Sequence, residues 1–203
     1  MCGITGIFNT NGQPIPVQVL REMNSQISHR GPDSEGYWAN SYVGFAHKRL
    51  SILDLSPTGH QPMETLDGRY IITFNGEIYN YQSIKKELLE KGYRFKSSTD
   101  TEVLLYAYAE WKADCVTKLN GMFAFAIYDK VESVLFLARD RYGIKPLYYY
   151  HNSYTFLFGS EIKTFLKHPG FKKDVSIEAL NEYFSFQNIF SNKTLFEGVH
   201  TLE

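Results

Sequence analysis

The second residue of the chain, Cys2, directly follows the initiator methionine. Removal of that methionine would leave one residue carrying both a thiol and a free α-amine. An α-amino group titrates near pKa ~7.7–8.0, so at neutral pH it can accept a proton and return it. A thiol titrates somewhat higher and is a strong nucleophile once it is a thiolate. Nucleophile and base would then sit on a single residue, with no histidine required. Taken alone, a Met-Cys start reads as a small buried residue opening a strand, and the chemical reading draws its weight from residues further along. Cys115 is no rival: it follows a helix-like segment, lacks a neighbouring glycine and has only Lys112 and Lys118 as nearby cations. It reads as an inert cysteine. The histidines at 29, 47, 60, 151, 168 and 200 show no metal-ligand spacing, so no metal is expected.

The elements that must position such a residue are legible in outline. Gly3 to Phe8 reads as a strand closed by the Asn9–Pro14 turn, and apolar residues at 17, 20, 23 and 27 keep helical spacing. Strands are expected near Gly36–Ala39 and Tyr42–Arg49. A long loop should run from Ser51 to Gly68, and a buried strand over Arg69–Asn75 should break at Gly76. Helices are expected at Gln82–Lys91 and Thr101–Trp111, then strands at Met122–Tyr128, Ser133–Arg139, Leu147–Tyr150 and Tyr154–Phe158. Short helices close the series at Glu161–Leu166 and Ile177–Phe184. Two antiparallel sheets covered by helices on their outer faces, an α+β arrangement, would satisfy this order. With 203 residues, 43% of them hydrophobic, the chain can fill a substantial core. Its net charge of -1, with no long run of basic residues, argues against nucleic-acid or anionic-membrane partners. Two cysteines, no signal-peptide layout and no stretch of ~20 apolar residues point to a cytoplasmic protein without a membrane span.

Eight short motifs then occur in order: Cys2-Gly3-Ile4; His29-Arg30-Gly31-Pro32-Asp33; Arg49-Leu50-Ser51-Ile52; Gly59-His60-Gln61-Pro62-Met63; Asn75-Gly76-Glu77-Ile78-Tyr79-Asn80; Ser98-Thr99-Asp100-Thr101-Glu102; Gly121-Met122-Phe123-Ala124-Phe125-Ala126; and the run Arg139 to Tyr149. Together they resemble the glutaminase domain of glutamine-dependent asparagine synthetases, which are class II glutamine amidotransferases. The resemblance implies a four-layer αββα sandwich of two mainly antiparallel sheets, the N-terminal-nucleophile hydrolase fold. It also implies L-glutamine as substrate, with Cys2 as nucleophile and a γ-glutamyl thioester on the way to glutamate and ammonia.

Glutamine is a zwitterion with a neutral carboxamide at its far end, and its site needs groups to match. Arg49 is the candidate for the α-carboxylate, because a guanidinium can hold a carboxylate bidentately. The resemblance places the rest of the glutamine backbone against Leu50, Ser51, Ile52 and Leu53. Asp100 is the candidate for the α-ammonium, although Thr99 or Asp100 could equally be capping a helix. Asn75 and Gly76 are the candidate oxyanion donors, against the plainer reading of an Asn-Gly hairpin turn. Glu77 would lie beside them. The loop from His29 to Asp33 is expected to shape the nucleophile's surroundings, with Arg30 paired internally or favouring the thiolate.

The family's full-length members carry a second, ATP-dependent domain that activates aspartate, with a Ser-Gly-Gly pyrophosphate loop that is absent from this chain. The glutaminase domain is therefore expected over residues 1–185, with 186–203 beginning the connection to a linked C-terminal synthetase domain. No cofactor is expected here, ATP and Mg being needed only by that other domain, and a homodimer is left open. An acceptor other than aspartate, such as a sugar acid, and a non-catalytic glutamine-sensing module are the competing readings.

Overall fold

The computed structural model describes residues 1–50 and 59–203. Ten strands form two sheets: β1 (Gly3–Asn9), β2 (Ser34–Ala39), β3 (Val43–Arg49), β4 (Met63–Glu64), β5 (Tyr70–Ile78), β6 (Gly121–Asp129), β7 (Val134–Arg139), β8 (Tyr148–His151), β9 (Thr155–Gly159) and β10 (Val199–Thr201). The first sheet runs β10-β8-β9-β1-β3-β2 and the second β4-β5-β6-β7. Every pairing is antiparallel.

Strand alternation sorts the side chains into three buried layers. Along β1, Ile4 faces the second sheet and Ile7 the opposite way. On β5, Ile71 faces the first sheet, while Tyr70, Ile72 and Phe74 pack against helices α2 (Tyr81–Glu90) and α3 (Asp100–Trp111). Large and small residues alternate along β6: Phe123, Phe125 and Ile127 turn to the helices, and the small Ala124 and Ala126 turn to the other sheet. On the far side, helix α1 (Val17–Ser25) and the 3₁₀ segment Ile162–Lys167 cover the first sheet through Leu20, Met23 and Phe165. The result is the four-layer αββα order expected from the sequence.

Three details differ from the sequence reading. The strand expected to break at Gly76 continues to Ile78. Gly76 stands opposite Phe123, and a Cβ there would collide with the Met122 carbonyl oxygen and lie 2.7 Å from the Phe123 Cα. The glycine thus serves a close cross-strand approach, and the hairpin-turn reading of Asn75-Gly76 is excluded. The expected loop before Gly68 contains β4, and a short helix α4 (Cys115–Lys118) follows α3. The boundary expected at 185 falls inside α5 (Ile177–Phe186), after which the chain returns to the first sheet as β10, paired with β8. Cys115 is fully buried, and burial pushes its thiol up to about 12. Among the described residues no helix is long and apolar enough to cross a membrane, and no group of His, Cys, Asp and Glu could hold a metal.

The centre of the inter-sheet layer is aromatic, with Phe158 fully buried edge-on to Phe45 at 5.4 Å. Phe158→Ala should cost about 3–5 kcal/mol of unfolding free energy through the cavity it leaves, read from urea denaturation. A loss below ~1 kcal/mol would mean that the two sheets do not depend on this contact.

Candidate active site

One cleft, about 490 Å³ and open to solvent, lies where β1 begins beside the end of β5. Cys2, Arg49, Leu50, Gly76, Glu77 and Asp100 all border it. Residues from five of the eight motifs therefore converge in one place.

Cys2 enters the cleft at the head of β1, which is tied on both sides, to β3 and to β9. Its thiol lies 3.4 Å from the Leu50 backbone N–H, which donates to it, and 3.5 Å from the Leu50 carbonyl oxygen. Burial pushes the thiol up from its ordinary range, opposed by the Leu50 amide, the N-terminal charge and Arg49. Of the two cysteines it is the one open to a reagent.

Gly76 owes its place to the free edge of β5. β4 pairs with Ile71 and Ile72, and among the described residues the stretch from Thr73 onward has no strand on that side. Phe74 N–H there donates to Gln61 Oε1 at 2.7 Å, and Ile78 N–H donates to Asp100 Oδ2 at 2.9 Å. N–H groups two residues apart point the same way along a strand, so Gly76 N–H is aimed into the cleft between those two capped positions. Asn75 points the other way, into the inter-sheet layer, where its side chain is 1% exposed and its Nδ2 has no hydrogen-bond partner among the described residues. Extending the alternation of β1 from Ile4 back to Cys2 puts the nucleophile on that same inter-sheet side. A buried unpaired donor costs stability and asks for an explanation.

Asp100 is the first residue of α3, whose N-cap is Thr99: the Thr99 hydroxyl accepts from Glu102 N–H at 3.2 Å. Of the two capping candidates in the sequence, Thr99 caps, and the Asp100 carboxylate is left to face the cleft. It is 5% exposed. Burial pushes its pKa up to about 6, and neighbouring Glu77 adds to the rise, while backbone amides of Ile78 and Thr101 oppose it. Among the described residues no cation pairs with it. Arg49 ends β3 and borders the same cleft. Ser51, Ile52 and Leu53 lie outside the described residues.

Gln61, His47 and Glu161 were not singled out for the site from the sequence. Gln61 is 6% exposed and clamps the site twice, accepting from Phe74 N–H and donating from Nε2 to Thr101 Oγ1 at 3.3 Å. Its Gly-His-Gln-Pro-Met motif was the available signal. His47 spans the two sheets: its Nε2 donates to the Phe74 carbonyl oxygen at 3.1 Å, and burial pulls its pKa down to about 3, so it is neutral. Arg30 donates from Nε to the Cys2 carbonyl oxygen at 2.9 Å and pairs with Glu161 at 3.0 Å, the internal pairing expected of it. The Glu161 partner has no sequence signal. His29 turns away to the same glutamate and is half exposed, so it is not placed to serve Cys2 as a base.

This cleft sets a thiol between a guanidinium, a buried carboxylate and an inward-aimed backbone N–H. Comparisons with known proteins agree with it. A family model described as a glutamine amidotransferase domain matches residues 1–203. The chain is 46% identical over 187 residues to the glutamine-hydrolysing asparagine synthetase 3 of Bacillus subtilis (strain 168), covering 91% of this chain and 30% of that protein. It is 44% identical over 208 residues to asparagine synthetase 1 of the same organism, covering 100% of this chain and 32% of that one. The chain thus spans about a third of the length of these curated relatives. Among solved structures, the glutamine phosphoribosylpyrophosphate amidotransferase of B. subtilis superposes with a TM-score of 0.67 at 20% identity, over 81% of this chain and 43% of that one, a likeness of fold. The two-sheet sandwich is the N-terminal-nucleophile hydrolase fold, and by the match along its whole length this chain belongs to the glutamine amidotransferase domain family.

Proposed function

We propose that the cleft hydrolyses L-glutamine to glutamate and ammonia, and that in the intact protein this ammonia serves the ATP-dependent amidation of aspartate to asparagine by a linked synthetase domain. The observation that carries the first part is the pairing of charges around Cys2. Arg49 at one side suits an α-carboxylate, and the buried Asp100 at the other suits an α-ammonium. A neutral amide substrate would offer the buried Asp100 carboxylate no counter-charge, whereas a zwitterion brings it an ammonium. The second part rests on the relatives, which are named as glutamine-hydrolysing asparagine synthetases and are about three times longer.

In this mechanism the Cys2 sulfur attacks the carboxamide carbon, and the α-amine of Cys2, free once Met1 is gone, takes the thiol proton. The C–O double bond becomes a single bond, and Gly76 N–H and Asn75 Nδ2 stabilise the oxyanion. This assigns a purpose to the unpaired Asn75 donor. Collapse expels ammonia, which receives the proton from the same amine, and leaves the γ-glutamyl thioester. Water then gives a proton to the amine and adds to the thioester, releasing glutamate and restoring the thiol. Glutamine, water and Cys2 supply every atom, so the half-reaction uses no cofactor; ATP and Mg belong to the synthetase step. Leu50 borders the path of the glutamine backbone, with Glu77 beside the amine. In the intact protein the chain beyond β10 leads to the synthetase domain, and a cytoplasmic setting keeps the thiol reduced.

Release of ammonia and glutamate from L-glutamine by protein lacking Met1, with intact mass as the check on processing, tests the reading. Cys2→Ala should lower turnover at least ~10³-fold while glutamine still binds. Unchanged turnover would remove Cys2 from the mechanism. The carboxylate must be ionised to hold an ammonium, so kcat/KM should rise with pH as the free enzyme passes through about 6. Asp100→Asn should raise KM by about 10- to 100-fold, and equal KM values would separate Asp100 from the substrate.

The same carboxylate predicts a stability effect. Asp100 titrates at 3.8 when unfolded and at about 6 when folded. Stability present below pH 3.8 is therefore lost as pH rises towards 6, and stays lost above it. Without ligand, Asp100→Asn should match the wild type near pH 3.5 and exceed it by about 1–3 kcal/mol at pH 8 in urea unfolding.

A further inference from the structure

From the contacts behind the nucleophile we infer that Glu161 is a positioning residue for the glutaminase reaction, holding Arg30 against the main chain of Cys2. This rests on the glutaminase reading of the cleft, but not on which acceptor receives the ammonia.

In the proposed mechanism Cys2 is the first residue once Met1 is gone, and termini fray unless they are tied down. Here the ties come from the turn after β9. Ser160 N–H donates to the Ile4 carbonyl oxygen at 2.9 Å, and Ile4 N–H donates back to Ser160 Oγ at 3.0 Å. That pair fixes β1 two residues beyond the nucleophile. The next residue, Glu161, reaches the nucleophile itself through Arg30. Its Oε1 accepts from Arg30 Nη1 at 3.0 Å, and Arg30 Nε donates to the Cys2 carbonyl oxygen at 2.9 Å. The third guanidinium nitrogen, Nη2, is buried with no hydrogen-bond partner among the described residues. Arg30 is therefore held by two acceptors, Cys2 and Glu161, and Glu161 supplies the charge.

The surroundings fit that one purpose. Arg30 lies flat across Gly3: a Cβ on Gly3 would stand 3.2 Å from Arg30 Cδ and 2.9 Å from Ile27 Cδ1. A glycine after the nucleophile thus makes room for the guanidinium stem rather than for the substrate. Glu161 is also flanked by His29 at 2.7 Å on Oε1 and by Lys163 at 3.0 Å on Oε2, so both of its oxygens are engaged. None of these groups borders the cleft. Their action on catalysis must pass through the placement of Cys2, where a displacement of ~1 Å can cost about 100-fold in rate. The same displacement would weaken the Leu50 N–H contact that favours the thiolate.

The test compares wild type, Glu161→Gln and Glu161→Ala, each freed of Met1, in glutamine hydrolysis and in alkylation of Cys2 by iodoacetamide across pH. Cys115 is fully buried, so alkylation read by intact mass reports Cys2. Glu161→Ala should lower kcat by about 10- to 100-fold, leave KM within about twofold, and move the alkylation midpoint to higher pH. Glu161→Gln keeps an acceptor for Arg30 and should recover most of both readouts. Circular dichroism and thermal unfolding identify a variant that has simply lost its fold. In that case Lys163→Met, which keeps Glu161 and Arg30, must remain near wild type in both readouts for the proposal to stand. Glu161→Ala with wild-type kcat and alkylation profile overturns the proposal, as does a rise in KM at constant kcat. If the wild type releases no ammonia, the function reading fails by itself. The alkylation comparison then still decides the positioning role, an unshifted midpoint in Glu161→Ala counting against it.

Discussion

The structure depends above all on how the head of β1 is held, where Cys2 borders the cleft. The proposed reaction needs the sulfur and the nitrogen of Cys2 in fixed directions, and contacts from distant segments supply that restraint. The fold meets this by making β1 an interior strand, laddered to β3 on one side and β9 on the other. Beyond the ladder, three contacts from three different segments close on the head of β1: Leu50 at the Cys2 sulfur, Arg30 at the Cys2 carbonyl oxygen and Ser160 at Ile4. None is strong alone, since a single hydrogen bond nets about 1 kcal/mol. Their convergence on Cys2 and Ile4 is what fixes the head of β1.

Electrostatics complete what geometry begins. The cleft carries a carboxylate that burial makes reluctant to ionise, and behind it lies a buried side-chain amide donor, Asn75 Nδ2, with no partner among the described residues. Such groups are costly in an empty site and favourable in an occupied one, which is how a preorganised polar site exchanges some stability for function. The sheets absorb the cost through a large aromatic interior and a neutral cross-tie: His47, buried and uncharged, bridges β3 to the backbone of β5 beside Asn75. A charged group there would have needed a counter-ion inside the sandwich.

The run from Arg139 to Tyr149 illustrates how a chemically suggestive motif can be structural. The Asp140 carboxylate accepts from Phe123, Ile144 and Lys145 backbone N–H groups, and Arg139 caps the Lys145, Gly143 and Leu202 carbonyl oxygens. These bonds shape the turn into β8 and join the end of the chain to it. Their charges are spent on backbone groups and not on a ligand.

Much of this was legible in the residues. Alternation along β6, helical spacing in α3 and the order of strands and helices carried the two-sheet sandwich, because burial on one face leaves a period in the sequence. Cys2, Arg49, Gly76 and Asp100 could be singled out because each side chain, or its absence, has a chemistry that few others share. Other features belonged to the tertiary structure alone. That Gly76 lies within a strand and not in a turn was decided by its partner across the sheet, and that Thr99 caps while Asp100 faces the cleft was decided by how α3 meets β5. The link from Glu161 to Arg30 to Cys2 joins positions more than a hundred residues apart, and no local pattern encodes it. Periodicity and residue chemistry are properties of a stretch of chain, whereas a hydrogen bond between distant segments exists only once the sheets have brought them together.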